Sequence, residues 1–417
     1  MTIQQLRPPL RPAERGTVRP WPAVGALWVL TRLGMIWLLA HDSLGIGGVA
    51  TEVHTLYRSW YAQLGQGSYP VGDVTWQYPP GAGAVILSPA LLPFLTYVQA
   101  FTTLVLATDA VVTFALLRAG GTGVWMWVCG LPLLLHIPLA RYDVQVTALA
   151  VLGLLALRRR PVLGGALAGL GAMVKVWPAL TLLGTPRGRT TRAAWLSAAC
   201  AAAVLLTVLA LCFSHPLGFL RQQSGRGVQI ESIGGTALAL AHRAGWPGTV
   251  VYRYGALEFT GPHVQAVGRA ALALTAAAFC WLLLWRMKAA RWTDATPFDS
   301  ALCAVLLFTV TSRVISPQYL IWLIGLAAVC LTSARTTQRP VAVLLLPAAA
   351  ASSLAYPVLY TDVAEGSPLG CTLMVVRNGL LLAAALLSAR RLWAATVPAG
   401  GARWTMRRRP PAARCPQ

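Results

Sequence analysis

Acidic side chains are scarce in this chain. Twelve Asp and Glu stand against 34 Lys and Arg, and charged residues of both signs occupy only 11% of 417 positions. So little charge cannot solvate the surface of soluble domains of this size, and with 56% apolar residues the chain falls in the membrane class. Lysine is nearly missing too, since Lys175 and Lys288 are the only two. No C-x-x-C pair occurs and no Cys/His spacing suits zinc, so no metal is expected. The eight cysteines lie in or beside apolar runs, Cys415 in the tail excepted, and read as small packing residues. No soluble module carries a basic face, which argues against a nucleic-acid partner despite the net charge of +22.

What the chain has in abundance is apolar runs close to the roughly 20 residues that cross a bilayer as helix. Short basic clusters punctuate them: Arg158-Arg159-Arg160, Arg187/Arg189/Arg192, Arg286/Lys288/Arg291, Arg335/Arg339 and Arg407-Arg408-Arg409. That is the pattern of cytoplasmic loops. It predicts an all-α polytopic protein of the cytoplasmic membrane with both termini inside. Residues 1–22 read as a disordered basic tail, 23–389 as one transmembrane domain of about twelve helices, and 390–417 as a second basic tail. The first run, Ala23 to His41, is an uncleaved signal anchor with Arg32 in its middle. Two long outer loops follow, about 42–80 and 214–262. Gly81 to Pro93 is short and broken by proline, a partial or re-entrant piece. A helix is expected from Tyr97 to Arg118 and another from Val124 to Ala140. Only about 26 residues separate Arg160 from Arg187, so the chain must go out and back on two short helices, 162–174 and 177–185, meeting at Lys175. The stretch Gly165-Ala-Leu-Ala-Gly169 is a small-x-x-x-small packing pattern.

Polar residues on the outer side are the candidates for chemistry. The first outer loop holds Asp42, Glu52 and Asp73. Asp42 caps the end of the first helix, which leaves Glu52 and Asp73 as carboxylates able to accept a proton from a sugar hydroxyl. Lys175 sits in an apolar run, where an ammonium requires a polar partner or an aqueous cavity. Two readings are open for it: a phosphate contact beside two helix ends, or a snorkelling lysine paired to Asp143. Arg141 and Asp143 are expected to form an ion pair. In the second loop Arg226, Gln229 and Glu231 supply donors and acceptors suited to sugar or phosphate, and Gln318-Tyr319 forms another outer polar edge. Arg377-Asn378, within the last helix, is unexplained by lipid contact.

In this order the residues resemble the family-87 glycosyltransferases of the GT-C fold, which include polyprenyl-phosphate-sugar-dependent mannosyltransferases. The matching blocks are Glu52 to Tyr57, Trp76-Gln-Tyr-Pro-Pro80, Arg141-Tyr-Asp-Val-Gln145, Gly164 to Lys175-Val-Trp-Pro178, and Ser312-Arg-Val-Ile-Ser-Pro-Gln-Tyr319. The resemblance implies a GT-C-like bundle and transfer of a hexose, mannose by preference, from a polyprenyl-phosphate sugar to a lipid or glycan acceptor on the outer face. The lipid-linked sugar would be a substrate, with no other cofactor. Glu52 or Asp73 would be the base, with Lys175, Arg141 and Arg226 on the donor phosphate. Tyr57, Tyr78, Asp143, Gln229, Glu231, Gln318 and Tyr319 would contact substrate. The family's base is an aspartate where this chain has Glu52, and its frequent histidine after the Ser316 position is replaced by Gln318-Tyr319. A transporter or lipid flippase is the alternative, and it should concentrate polar residues at mid-bilayer rather than in loops on one face. A structural membrane subunit would leave Lys175 without a purpose.

Overall fold

The computed structural model describes residues 21–44, 48–222 and 226–398. Most of both expected tails, with Cys415, lies outside the described residues. The chain is an all-α polytopic membrane protein, and among the described residues six helices are long and apolar enough to cross a bilayer and six apolar ones are shorter. In order these begin with α1 (Trp21–Ala40), a π-helical turn (Glu52–Tyr57), α2 (Arg58–Gly65), α3 (Gly81–Leu87) and α4 (Tyr97–Ala119). Then come α5 (Gly123–Gly130), α6 (Asp143–Leu157), α7 (Pro161–Val174) and α8 (Arg189–Cys212). After α9 (Phe219–Gln222) the loop expected over 214–262 folds into β1 (Val228–Gln229), α10 (Ile233–Arg243), β2 (Thr249–Arg253) and β3 (Ala256–Thr260). The remainder is α11 (Val264–Lys288), α12 (Thr296–Thr311), α13 (Tyr319–Cys330), α14 (Arg339–Ser353), α15 (Tyr360–Glu365) and α16 (Pro368–Thr396).

Arg32 explains how the first two spans are joined. Its guanidinium, 2% exposed, donates from Nε and Nη2 to the two oxygens of Asp109 at 2.7 and 3.0 Å, and from Nη1 to the Val128 carbonyl. Trp28 and Trp127 each donate an indole N–H to the same carboxylate at 2.7 Å. Two charges inside an apolar layer persist because each satisfies the other. Trp21 meets Phe114 while Arg32 meets Asp109, so α1 and α4 run antiparallel and the first loop emerges on the face where α4 begins. Asp109→Ala leaves a buried guanidinium unpaired and is expected to cost about 3–5 kcal/mol. Unfolding in detergent checks this, with the Arg32→Met/Asp109→Leu double variant expected to recover most of the loss.

Between α1 and α4, Gly81–Leu91 is too short to cross, as the prolines suggested. The segment 124–140 corrects the expectation of one continuous helix. Pro132 and Pro138 split it into α5 and two 3₁₀ turns, with Leu135 at φ 53° between them. The break at Lys175 is as expected: α7 ends at Val174, Lys175 is extended, and a 3₁₀ helix runs Trp177–Gly184. Gly165 and Gly169 press α7 onto α8. A Cβ there would come within 2.1 Å of the Ala194 carbonyl oxygen and 2.2 Å of that of Ala198. Helix α13 is apolar on every side and buried from Leu320 to Cys330, which suits a central helix.

The segment between α8 and α11 holds more order than a polar loop composition indicates. Its strands pair antiparallel in the order β1-β3-β2, with Val228 and Val250 flanking Phe259. Tyr254 and Gly255, at φ 53° and 76°, make the tight turn of the β2–β3 hairpin. The last helix extends to Thr396, beyond the expected end at 389.

Candidate functional site

Asp42 builds the wall from which Glu52 projects. Rather than capping α1, it accepts hydrogen bonds from the amides of Val49 and Ala50 at 2.9 and 2.7 Å, and His136 Nε2 lies 2.6 Å from it. The chain is thereby turned back so that the π-helical turn starts at Glu52. The Glu52 carboxylate, a quarter exposed, lies 2.8 Å from Arg141 Nη2. Arg141 is nearly buried, donates from Nη1 to the carbonyls of Val49 and Ala140, and keeps Nε without a partner. The expected Arg141–Asp143 pair is therefore replaced by Arg141–Glu52 and Lys175–Asp143. Residues 141 and 143 flank the α6 start on opposite sides of Tyr142, and each turns to a different partner.

Glu52 and Arg141 line a cavity of about 550 Å³ together with Gln229, Glu231, Gln318, Ser316, Tyr252, Tyr356 and Tyr360. Gln229 is locked in place: its Oε1 accepts from the Ile315 amide at 2.9 Å and its Nε2 donates to Glu231 Oε2 at 3.0 Å. The Glu231 main-chain carbonyl accepts from Arg377 Nη1 and Asn378 Nδ2 at 2.8 and 3.1 Å. This accounts for the polar pair in α16. Arg377 and Asn378 anchor the segment between α8 and α11, aided by Ser352 and Thr236. Glu231 is 2% exposed, and its Oε1 has no hydrogen-bond partner. Burial pushes its carboxyl up to about 7, against the pull of the Arg377 charge.

Lys175 lies behind this wall and is not among the lining residues. Its ammonium is 2.6 Å from Asp143 Oδ1, an oxygen that also accepts from the Trp322 indole at 2.6 Å. The rings of Tyr142, Trp322 and Tyr78 surround it at 4.6, 5.3 and 5.5 Å. Asp143 is fully buried with Oδ2 unpartnered. Lys175→Met is expected to cost about 3–5 kcal/mol of stability, because a buried carboxylate loses its counter-charge. Adding Asp143→Leu should restore most of that, as read by thermal unfolding. A singly substituted protein with unchanged stability but no turnover would instead make Lys175 a substrate contact.

The other predicted site residues divide clearly. Asp73 accepts from the Trp60 indole, the Thr75 amide and the Thr75 hydroxyl, so it ties a turn and stands outside the cavity lining. Arg226 donates to Gln77 Oε1 and lies 3.5 Å from Glu258, also outside the lining. Tyr57 and Tyr78 belong to an aromatic cluster with Trp60, Trp76 and Tyr142, at ring separations of 5.0 to 6.1 Å. That cluster explains why the Tyr-Pro-Pro turn and the Arg141 loop converge. Tyr319 stacks on Trp322 at 4.0 Å. Sequence reasoning missed Tyr252, Tyr356 and Tyr360. The run Ser352-Ser-Leu-Ala-Tyr-Pro-Val-Leu-Tyr360, a polar and aromatic interruption of an apolar helix, was the available signal for two of them.

Compared with known families, residues 76–317 match the model of glycosyltransferase family 87, more than half of the chain. The match takes in Arg141, Asp143, Lys175, Gln229 and Glu231, while Glu52 lies upstream of it. No curated protein and no solved structure matches.

Proposed function

Because the chain belongs to glycosyltransferase family 87, we propose that its cavity transfers a hexose, mannose by preference, from a polyprenyl-phosphate donor to a lipid or glycan acceptor on the outer face of the cytoplasmic membrane. The observation that carries this reading is the Glu52–Arg141 pair at 2.8 Å on the wall of a cavity that also presents Gln229, Glu231 and Gln318. In the reaction the acceptor oxygen bonds to the anomeric carbon and its proton passes to Glu52. The bond from that carbon to the phosphate oxygen breaks, and its electron pair leaves with the phosphate. Arg141, on the wall of the cavity, faces the developing negative charge with its guanidinium. Glu52 is the base in preference to Asp73, whose oxygens are consumed by its own turn. Lys175 and Asp143 act as positioning residues, holding the start of α6 and hence Arg141. Amide and carboxyl groups hold sugar hydroxyls, and Tyr252, Tyr356 and Tyr360 offer ring faces to the sugar.

Glu231 sets the pH response. Neutral, its carboxyl donates a hydrogen bond to a sugar hydroxyl; ionised, it adds a second carboxylate to the cavity that Glu52 lines. Since burial raises its titration to about 7, kcat/KM should fall as pH rises through that value. Glu231→Gln, which stays neutral, should lose this alkaline limb while keeping activity at pH 6. A limb identical in both proteins rules Glu231 out as its source.

The donor is tested by incubating membranes, with and without the chain, with radiolabelled polyprenyl-phosphate mannose or glucose. Chain-dependent label in a product is expected with mannose. Transfer from a nucleotide sugar but from neither lipid-linked sugar would overturn the donor assignment.

A further inference from the structure

A second cavity, of about 500 Å³, opens at the opposite end of α6, roughly 21 Å along the helix from Asp143. It lies where the α6–α7 turn, the loop before α8 and the loop before α12 meet. Its polar lining comprises Arg158, Thr185, Thr190, Trp292, Thr293 and Asp294.

Charge at this end is heavily one-sided. The three segments contribute Arg158, Arg159, Arg160, Arg187, Arg189, Arg192, Arg286, Lys288 and Arg291 against Asp294 and Asp299. Asp294 shares the lining with Arg158, 3.5 Å away, and stands 3.7 Å from Arg335, so the excess positive charge lies on the rim of the cavity. Ordinary topology-setting arginines hang in water, but two of these are built into the structure. Arg286 packs over Trp292 at 4.7 Å, donates from Nη2 to Thr191, and has a buried Nη1 with no partner. Arg187 donates to the carbonyls of Arg286 and Met287. Helices α7, α8 and α12 all begin at the rim, adding partial positive charge. Beside the cavity, Val162 and Leu163 on α7 and Met287 on α11 are exposed and apolar.

We propose that this cavity binds the phosphate headgroup of an anionic phospholipid, with the acyl chains lying along the exposed apolar side chains of α7 and α11. A recess lined by Arg158 and threonine hydroxyls and rimmed by further arginines suits the phosphate, and the adjoining apolar surface favours a lipid over a free ion. The site is separate from the transfer cavity, and the proposal does not rest on the donor assignment. A bound headgroup would bridge three loops and stabilise the helices that start there by linkage.

The test uses the full chain, purified in detergent and stripped of lipid, with thermal unfolding and native mass spectrometry as readouts. Phosphatidylglycerol is expected to bind at one equivalent, raise the midpoint by several degrees, and bind at least tenfold more tightly than phosphatidylcholine. Arg158→Gln should weaken that binding about tenfold and leave glycosyl transfer unchanged. Arg159→Gln/Arg160→Gln, which alters charges outside the cavity lining, should weaken it far less. Equal binding of both lipids, or an equal loss in both variants, overturns the site. The same stabilisation by inorganic phosphate alone overturns the lipid as its occupant.

Discussion

Glu52→Gln is expected to lower kcat by about 10²–10⁴, the range for removing a positioned general base. The substitution keeps size and hydrogen-bonding capacity and removes only the ability to take a proton, so the KM for the donor should change much less. Glu52→Asp provides the graded control. Its carboxylate is one methylene shorter and should retain more activity than the glutamine variant while binding Arg141 less closely. The measurement is single-turnover transfer from a labelled lipid-linked sugar, alongside thermal unfolding to show that both variants fold. An unchanged turnover in a folded Glu52→Gln protein would remove Glu52 from the mechanism. Because the family match begins at Trp76, this experiment bears on the part of the site that geometry alone supports.

Arg141→Ala should cost about 10²–10³ in kcat, the scale for losing one donor aimed at developing negative charge. Arg141→Lys should recover only part, since an ammonium cannot bridge Glu52, the Val49 carbonyl and a phosphate as the planar fork can. The loss should fall on kcat more than on donor KM, because the interaction strengthens as the phosphate departs. Glu52 and Arg141 touch, so the double variant should lose less than the product of the two single losses. Full additivity would mean that the two residues act in separate steps. A folded Arg141→Ala protein with normal kcat would reject its role outright.

Much of the architecture was legible because a bilayer leaves few options. Apolar run length marked α1, α4, α8, α11 and α16, and the spacing of Arg160 and Arg187 required a broken pair of helices at Lys175. Those inferences hold since backbone groups in lipid must be satisfied within helices. The split of 124–140 was harder to see, although Pro132 and Pro138 signalled it, because the segment is as apolar as a true span. Asp73 was a candidate base by sequence because a carboxylate near aromatics looks free until its hydrogen bonds to Trp60 and Thr75 are seen. Lys175 was singled out correctly as unusual, yet its neighbour Asp143 and three rings, rather than open water, satisfy it in the folded chain.

The amino-acid sequence by itself determined the membrane class, the approximate spans and the family-87 character, since these follow from hydropathy and short blocks of residues. Tertiary structure decided which charges pair: Glu52 with Arg141, Lys175 with Asp143, Arg32 with Asp109. It also decided that Gln229, Glu231 and three distant tyrosines share one cavity. The reason is physical. Burial in lipid selects residue types along the chain, whereas the partner of a buried charge depends on which helices pack together, and no local pattern encodes that.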